Sequence, residues 1–171
     1  MRDDGYDIRF TAQDGTSLSF YRQTWSKGGT SVFWVKVPSI PAGGSVVIHM
    51  YYGNPSASDA SDPSSTMLWW DDFNNAGALS NYEAFYETWS IDAANSVAED
   101  SGTTNNITYF VARTSNADNI YIETRATTGD NDGIGVVARF GSTSSWYGAI
   151  ITDDSGWSGG NNRFIAKDDP R

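Results

Sequence analysis

Tryptophan and tyrosine beside small polar turns are the first residues here with chemistry to offer. Trp146-Tyr147 and Trp157 adjoin runs of Ser, Gly, Asn and Asp, and Trp25 precedes Ser26-Lys27. Sugars carry apolar C–H faces that stack on such rings while their hydroxyls meet Asp, Asn or Arg. These four rings are the candidate glycan-binding residues. Rings also plug cores, and Trp34 and Trp89, set within apolar alternation, are read that way. Oxygen-rich loops come next: Asp71-Asp72, Asp130-Asn131-Asp132, Asp153-Asp154 and Asp168-Asp169. Calcium takes roughly six to eight oxygens, so Asp71, Asp72, Asp130 and Asp132 are the candidate ligands of a structural ion. The Asp130 loop lacks the glycine and glutamate offsets of an EF-hand, and turn aspartates need no metal at all.

Acid catalysis is less well served. Glycoside hydrolysis needs two carboxylates roughly 5–10 Å apart in one cleft. The glutamates are Glu83, Glu87, Glu99 and Glu123, and none forms a Glu-x-Asp-x-x-Glu pattern. Glu83 and Glu87 share a face if they lie in a strand, but no partner accompanies them; Glu123 stands between Ile122 and Thr124 as a lone acid. His49 is the single histidine and cysteine is absent. That excludes, within this chain, sites needing two imidazoles, thiol nucleophiles, thiolate metal centres and disulfides. A non-catalytic chain is expected. The net charge of −10, from 11 Lys plus Arg against 21 Asp plus Glu, argues against nucleic-acid or anionic-membrane partners, which need clustered cations. No apolar run approaches the roughly 18 residues of a membrane span, and Arg2-Asp3-Asp4 after Met1 is not a signal peptide. Asn106-Ile107-Thr108 is a formal glycosylation sequon.

These residues must be positioned by strands. Gly, Ser, Thr, Asn and Asp make up 82 of the 171 residues and Lys only 3. Turn formers with β-branched and aromatic residues, and few helix formers, describe an all-β chain. Alternation predicts strands over 7–11, 18–21, 31–37 and 45–52, then 86–91, 108–112, 121–125, 134–140, 146–151 and 163–166. Phe33, Val35 and Val37 form an apolar face that should point inward. The strands 31–37 and 45–52, linked by a short Pro- and Gly-rich segment, are expected to pair antiparallel. No segment has a convincing helical period. Gly53 to Ser65, reading GNPSASDASDPSS, is small and polar enough for a linker or extended crossover. Short strands with a turn every 8–15 residues indicate an antiparallel β-sandwich.

The first half resembles the DUF2341 family of bacterial and archaeal surface or secreted proteins. The resemblance rests on Tyr6-Asp7-Ile8-Arg9-Phe10, Asp14-Gly15-Thr16, the stretch from Trp34 to Gly44, and Met50-Tyr51-Tyr52-Gly53-Asn54-Pro55. The second half resembles the start of a concanavalin A-like (LamG-like) jelly roll, through Asp71-Asp72-Phe73, Trp89-Ser90-Ile91, the stretch from Ile134 to Phe140, and Trp146 to Ile150. The expected organisation is a DUF2341-like β module over 1–55, a linker or crossover over 56–66, and a partial concanavalin A-like β-sandwich over 67–171, incomplete at both termini relative to these families. The likeness implies an extracellular or cell-surface location in a bacterium or archaeon. It also implies a structural calcium, with Asp71 or Asp72 first among its ligands. A sandwich short of an edge strand exposes unpaired backbone groups, so self-association through open strand edges is expected. The leading function is non-catalytic adhesion or carbohydrate binding. The alternatives are a subunit of a surface filament completed by strand exchange, and an ancillary lobe of a larger carbohydrate-active enzyme.

Overall fold

A computed structural model describes residues 1–100, 108–112, 119–127, 133–152 and 162–168, with 151–152 and 162–168 described by their backbone. The chain is all-β: every strand pairing among these residues is antiparallel. Helical structure among them is confined to one turn at Pro63–Thr66 and a 3₁₀ segment at Ala76–Asn81. The chain divides into two compact units, Met1–Asp71 and Asp72–Arg171. No helix among the described residues is long and apolar enough to cross a membrane.

The first unit holds β1 (Arg9–Ala12), β2 (Ser17–Leu18), β3 (Phe20–Thr24), β4 (Val32–Val35) and β5 (Ile48–Tyr51). They form one sheet in the order β2-β1-β5 and a separate β3-β4 hairpin. Ile8, 1% exposed, Phe10, Leu18 and Phe20 make the core, and Ala12, Trp25, Phe33 and Val35 pack against it. Phe33 and Val35 face inward as their alternation predicts. Rings meet edge-on or tilted, Phe10 to Phe20 at 5.3 Å and Phe10 to Phe33 at 5.7 Å between centroids, the geometry that aromatic quadrupoles favour.

The expected pairing of 31–37 with 45–52 does not occur. β4 instead pairs β3, Phe20 opposite Val35 and Arg22 opposite Phe33, while β5 crosses to β1, Met50 opposite Phe10 and Tyr51 opposite Arg9. The reason is local. Gly28, at φ +76, supplies the left-handed residue that closes β3 onto β4, and a short loop closes at less entropic cost than a long one. The segment after β5 is held closely to this unit. Gly53 N–H donates to Asp7 (2.6 Å), the Arg9 guanidinium to the Ser58 carbonyl (2.7 Å), and Asp62 N–H to the Phe20 carbonyl (2.8 Å). Arg22 pairs with Asp59 at 2.6 Å, and Arg2 donates to the Pro55 carbonyl. The segment ends in the helical turn, where Pro63 opens the helix and Asp62 accepts from Ser65 N–H at 3.0 Å, the usual cap for an orphan donor.

The second unit holds β6 (Tyr82–Phe85), β7 (Trp89–Asp92), β8 (Val97–Asp100), β9 (Tyr109–Ala112), β10 (Ile134–Ser142), β11 (Ser145–Thr152) and β12 (Asn162–Asp168). β10-β11-β12 is a three-stranded meander; β6 pairs β9 and β7 pairs β8. Tyr82, Ile91, Tyr109 and Trp146 are buried, and Phe110 lies stacked on Tyr82 at 4.1 Å and on Trp89 at 4.9 Å. Two expectations change here. The strand expected over 86–91 begins only at Trp89: Tyr86 takes φ +74, in a left-handed turn that separates β6 from β7. The strand expected over 121–125 is not formed. Tyr121 and Ile122 are adjacent and would point to opposite faces of a strand, but both are exposed, so neither face gains the burial that fixes a strand.

Candidate functional site

Alternation on β6 puts Tyr82 and Ala84 on one side and Glu83 and Phe85 on the other. Glu83 stands opposite Val111 and Phe85 opposite Tyr109 in the β6–β9 ladder. The end of β10 approaches the same surface. Its register slips between Ala138 and Ser142, where Arg139 sits at φ +50. Such a bulge re-aims the side chains that follow it, and Phe140 comes to rest 5.2 Å from the Phe85 ring and 5.3 Å from Tyr109. Together β6, β9, the tip of β10 and Thr143 enclose a groove of about 550 Å³.

Phe85, Phe140 and Val111 give this groove an apolar floor, and Glu83, Ser142 and Thr143 give it a polar margin. Tyr86 stands at the lip with 67% of its surface exposed. Its hydroxyl donates to Thr143 Oγ1 at 2.9 Å. A non-glycine residue at positive φ costs of order 1–3 kcal/mol, and the hydroxyl bond to Thr143 offsets part of that cost. An apolar floor with a few convergent polar groups suits an amphipathic small ligand. The carboxylate and two hydroxyls can exchange hydrogen bonds with a polyol while the rings take its C–H face.

The residues singled out from sequence lie elsewhere. Trp146 is 6% exposed, so its ring offers no open face and the stacking role assigned to it is corrected. It meets Tyr109 edge-on at 6.0 Å, and its Nε1–H points at the Thr143 carbonyl, 3.3 Å away. Gly148 makes room for it: a Cβ there would stand 2.6 Å from the Trp146 ring. Trp146 thus supports the groove wall from beneath. Tyr147, its neighbour on β11, projects to the opposite face and is exposed; it does not line the groove. Trp25 is half-buried. It packs on Phe33 and over the backbone of Gly5, whose Cβ would lie 2.8 Å from the indole, and its Nε1–H donates to the Asp3 carbonyl at 2.8 Å. Trp157, Asp130, Asp132 and the sequon residues Asn106 and Ile107 lie outside the described residues. Asp71 ends the first unit and Asp72 begins the second. The Asp72 carboxylate accepts from Asn74, at 2.9 Å from its side-chain nitrogen. Among the described residues no three of His, Cys, Asp and Glu come together as a metal-binding group.

Sequence reading did not mark Tyr86, Phe85 or Phe140. The available signal was Phe140-Gly141-Ser142-Thr143, an aromatic strand end running into hydroxyl residues, but Tyr86 read as an ordinary strand residue. A second electrostatic feature was also missed. Asp7 is buried and accepts from the backbone N–H groups of Arg2 (2.9 Å) and Gly53 (2.6 Å). Burial opposes its charge, yet these donors outweigh that and hold the carboxyl below its usual range. This side chain ties the chain start to the exit of β5, a structural latch.

A family model described as "Domain of unknown function (DUF2341)" matches residues 4–92. The match takes in all five strands of the first unit and continues through β6 and β7. No curated protein and no solved structure matches the chain.

Proposed function

The chain belongs to the DUF2341 family, and on that premise we propose that it is a non-catalytic, extracellular or cell-surface protein of a bacterium or archaeon that binds carbohydrate in the groove of its second unit. In this reading the second unit is a β-sandwich of the concanavalin A-like, jelly-roll kind, and the function is adhesion. The observation that carries it is the exposed Tyr86 ring at the lip of an aromatic groove margined by Glu83, Ser142 and Thr143. A pyranose would lay its C–H face on Tyr86 and direct hydroxyls to the Glu83 carboxylate. No step of chemistry is assigned to Glu83; a lone carboxylate can orient a hydroxyl without cleaving a bond.

The test is a glycan array or polysaccharide pull-down with the full chain and three variants. Tyr86→Ala and Glu83→Gln are expected to weaken binding at least about tenfold, which is about 1.4 kcal/mol. Tyr147→Ala, outside the groove, is expected to leave it unchanged. Loss with Tyr147→Ala but not with Tyr86→Ala would move the site off the groove, and a native chain that retains no glycan ends the carbohydrate reading.

A further inference from the structure

β5 is the outer strand of its sheet: β1 lies along one edge and, among the described residues, no strand lies along the other. All four of its residues are exposed. With their neighbours, the apolar side chains Val46, Val47, Ile48, Met50, Tyr51 and Tyr52 are each 38–58% exposed. Natural sheets blunt such edges with a lysine, a proline or a bulge. β5 has none of these; its register against β1 runs without a break from Tyr51 to Ile48.

Charge says what can cover it. No Asp, Glu, Lys or Arg occurs between Lys36 and Asp59, the longest uncharged run in the chain. The first unit carries 5 Lys plus Arg and 7 Asp plus Glu, for −2; the second carries 6 and 14, for −8. A basic partner would seek carboxylates, and this edge has none. Two copies of an acidic chain repel each other, least where both are neutral. The edge is also self-complementary: an antiparallel two-fold lays the same uncharged run against itself. Half-exposed side chains of this size put on the order of 500 Å² of apolar surface along β5 and its flanks, divided between the two faces of the strand, so edge pairing covers part of it and stays below the roughly 800 Å² per partner of a standard interface. A backbone ladder adds to that area.

We propose that two copies of this chain dimerise by antiparallel pairing of β5 with β5, joining two first-unit sheets into one continuous sheet. The inference is independent of the groove, which lies on the other unit.

Light scattering of the full chain across a concentration series should show a monomer–dimer equilibrium. Val47→Lys and Tyr51→Lys, both at exposed positions, should weaken it at least about tenfold with the circular dichroism spectrum unchanged. Because the native chain has no cysteine, His49→Cys provides an independent reading that leaves the edge uncharged. A short bismaleimide should link two copies through residue 49, near the strand centre, whereas Lys27→Cys should give no link. A chain monomeric at high concentration overturns the proposal, as do open-ended polymers, dimers indifferent to both lysine variants, or dimers without the residue-49 link. Tyr86→Ala should dimerise normally, so failure of the glycan reading and failure of this one are separable.

Discussion

Asp4, Asp7 and Asp59 show how single side chains set the conditions under which the first unit holds. The Arg2 side chain and Tyr6 N–H lower Asp4 from an ordinary 3.8 to about 2. For Asp7 and Asp59 burial works the other way, but backbone donors in the first case and Arg22 with Ser61 N–H in the second bring each carboxyl below its usual range. A folded-state value below the unfolded one means that the ionised form contributes stability above the ordinary carboxylate range. That contribution disappears as protons bind. The denaturation midpoint of the first unit should therefore fall as pH drops from about 4 toward 2, and Asp7→Asn should flatten the slope; a midpoint constant over that range would contradict the assignment. At this scale Asp7 was illegible in sequence, because its partners are backbone groups of Arg2 and Gly53, which no residue type advertises. Trp146 was misread for a related reason. The Ser-rich turn beside it pointed to a ligand-facing ring at the start of a strand, but its alternation with Tyr147 on β11 and the space left by Gly148 put the ring inside.

Strand positions were legible where alternation was strong, as in β1, β4, β5, β10 and β11; partners were not. Periodicity assigns a residue to a face but does not say which strand lies beside it, so the β3-β4 hairpin and the β1-β5 crossover emerged only in three dimensions. β8 shows the reverse case. Val97-Ala98-Glu99-Asp100 has weak strand propensity and is made a strand by the turn before it, where Asp92 accepts from Ala94 N–H and Asn95. The segment after β5, legible only as small and polar, proves to be organised by arginines. Arg22 is its strongest anchor, binding both oxygens of Asp59 (3.1 and 2.6 Å) and the Gly5 carbonyl (3.2 Å). A lysine cannot reproduce that two-pronged geometry. Arg22→Lys should cost about 1–2 kcal/mol and speed proteolysis within residues 53–62, measured by denaturant melts and limited digestion. Equal digestion rates would show that the segment is held by its backbone bonds alone.

For the whole molecule the governing quantity is the unequal division of charge, −2 on one unit and −8 on the other. Salt screens repulsion between exposed charges that lie farther apart than a Debye length, about 8 Å at physiological strength, whereas a neutral apolar edge has no attraction for salt to weaken. Association through β5 should therefore tighten several-fold as sodium chloride rises from low to physiological concentration, read as the dimer dissociation constant by sedimentation. Weakening with salt would mean that ion pairs, not β5, join the copies.

The same scarcity of cations shapes how this protein is met by trypsin. In the native fold Arg2, Arg9 and Arg22 are engaged with carbonyls and carboxylates of their own unit, so cleavage beside them should be slow. After unfolding, no Lys or Arg falls between Lys36 and Arg113. The bare edge, the arginine-held segment and the Tyr86 lip would then leave together as a single long peptide, Val37 to Arg113. Mass-spectrometric surveys tuned to short tryptic peptides would under-count this protein for that reason alone, and a second protease cutting at aromatic or acidic residues would recover it.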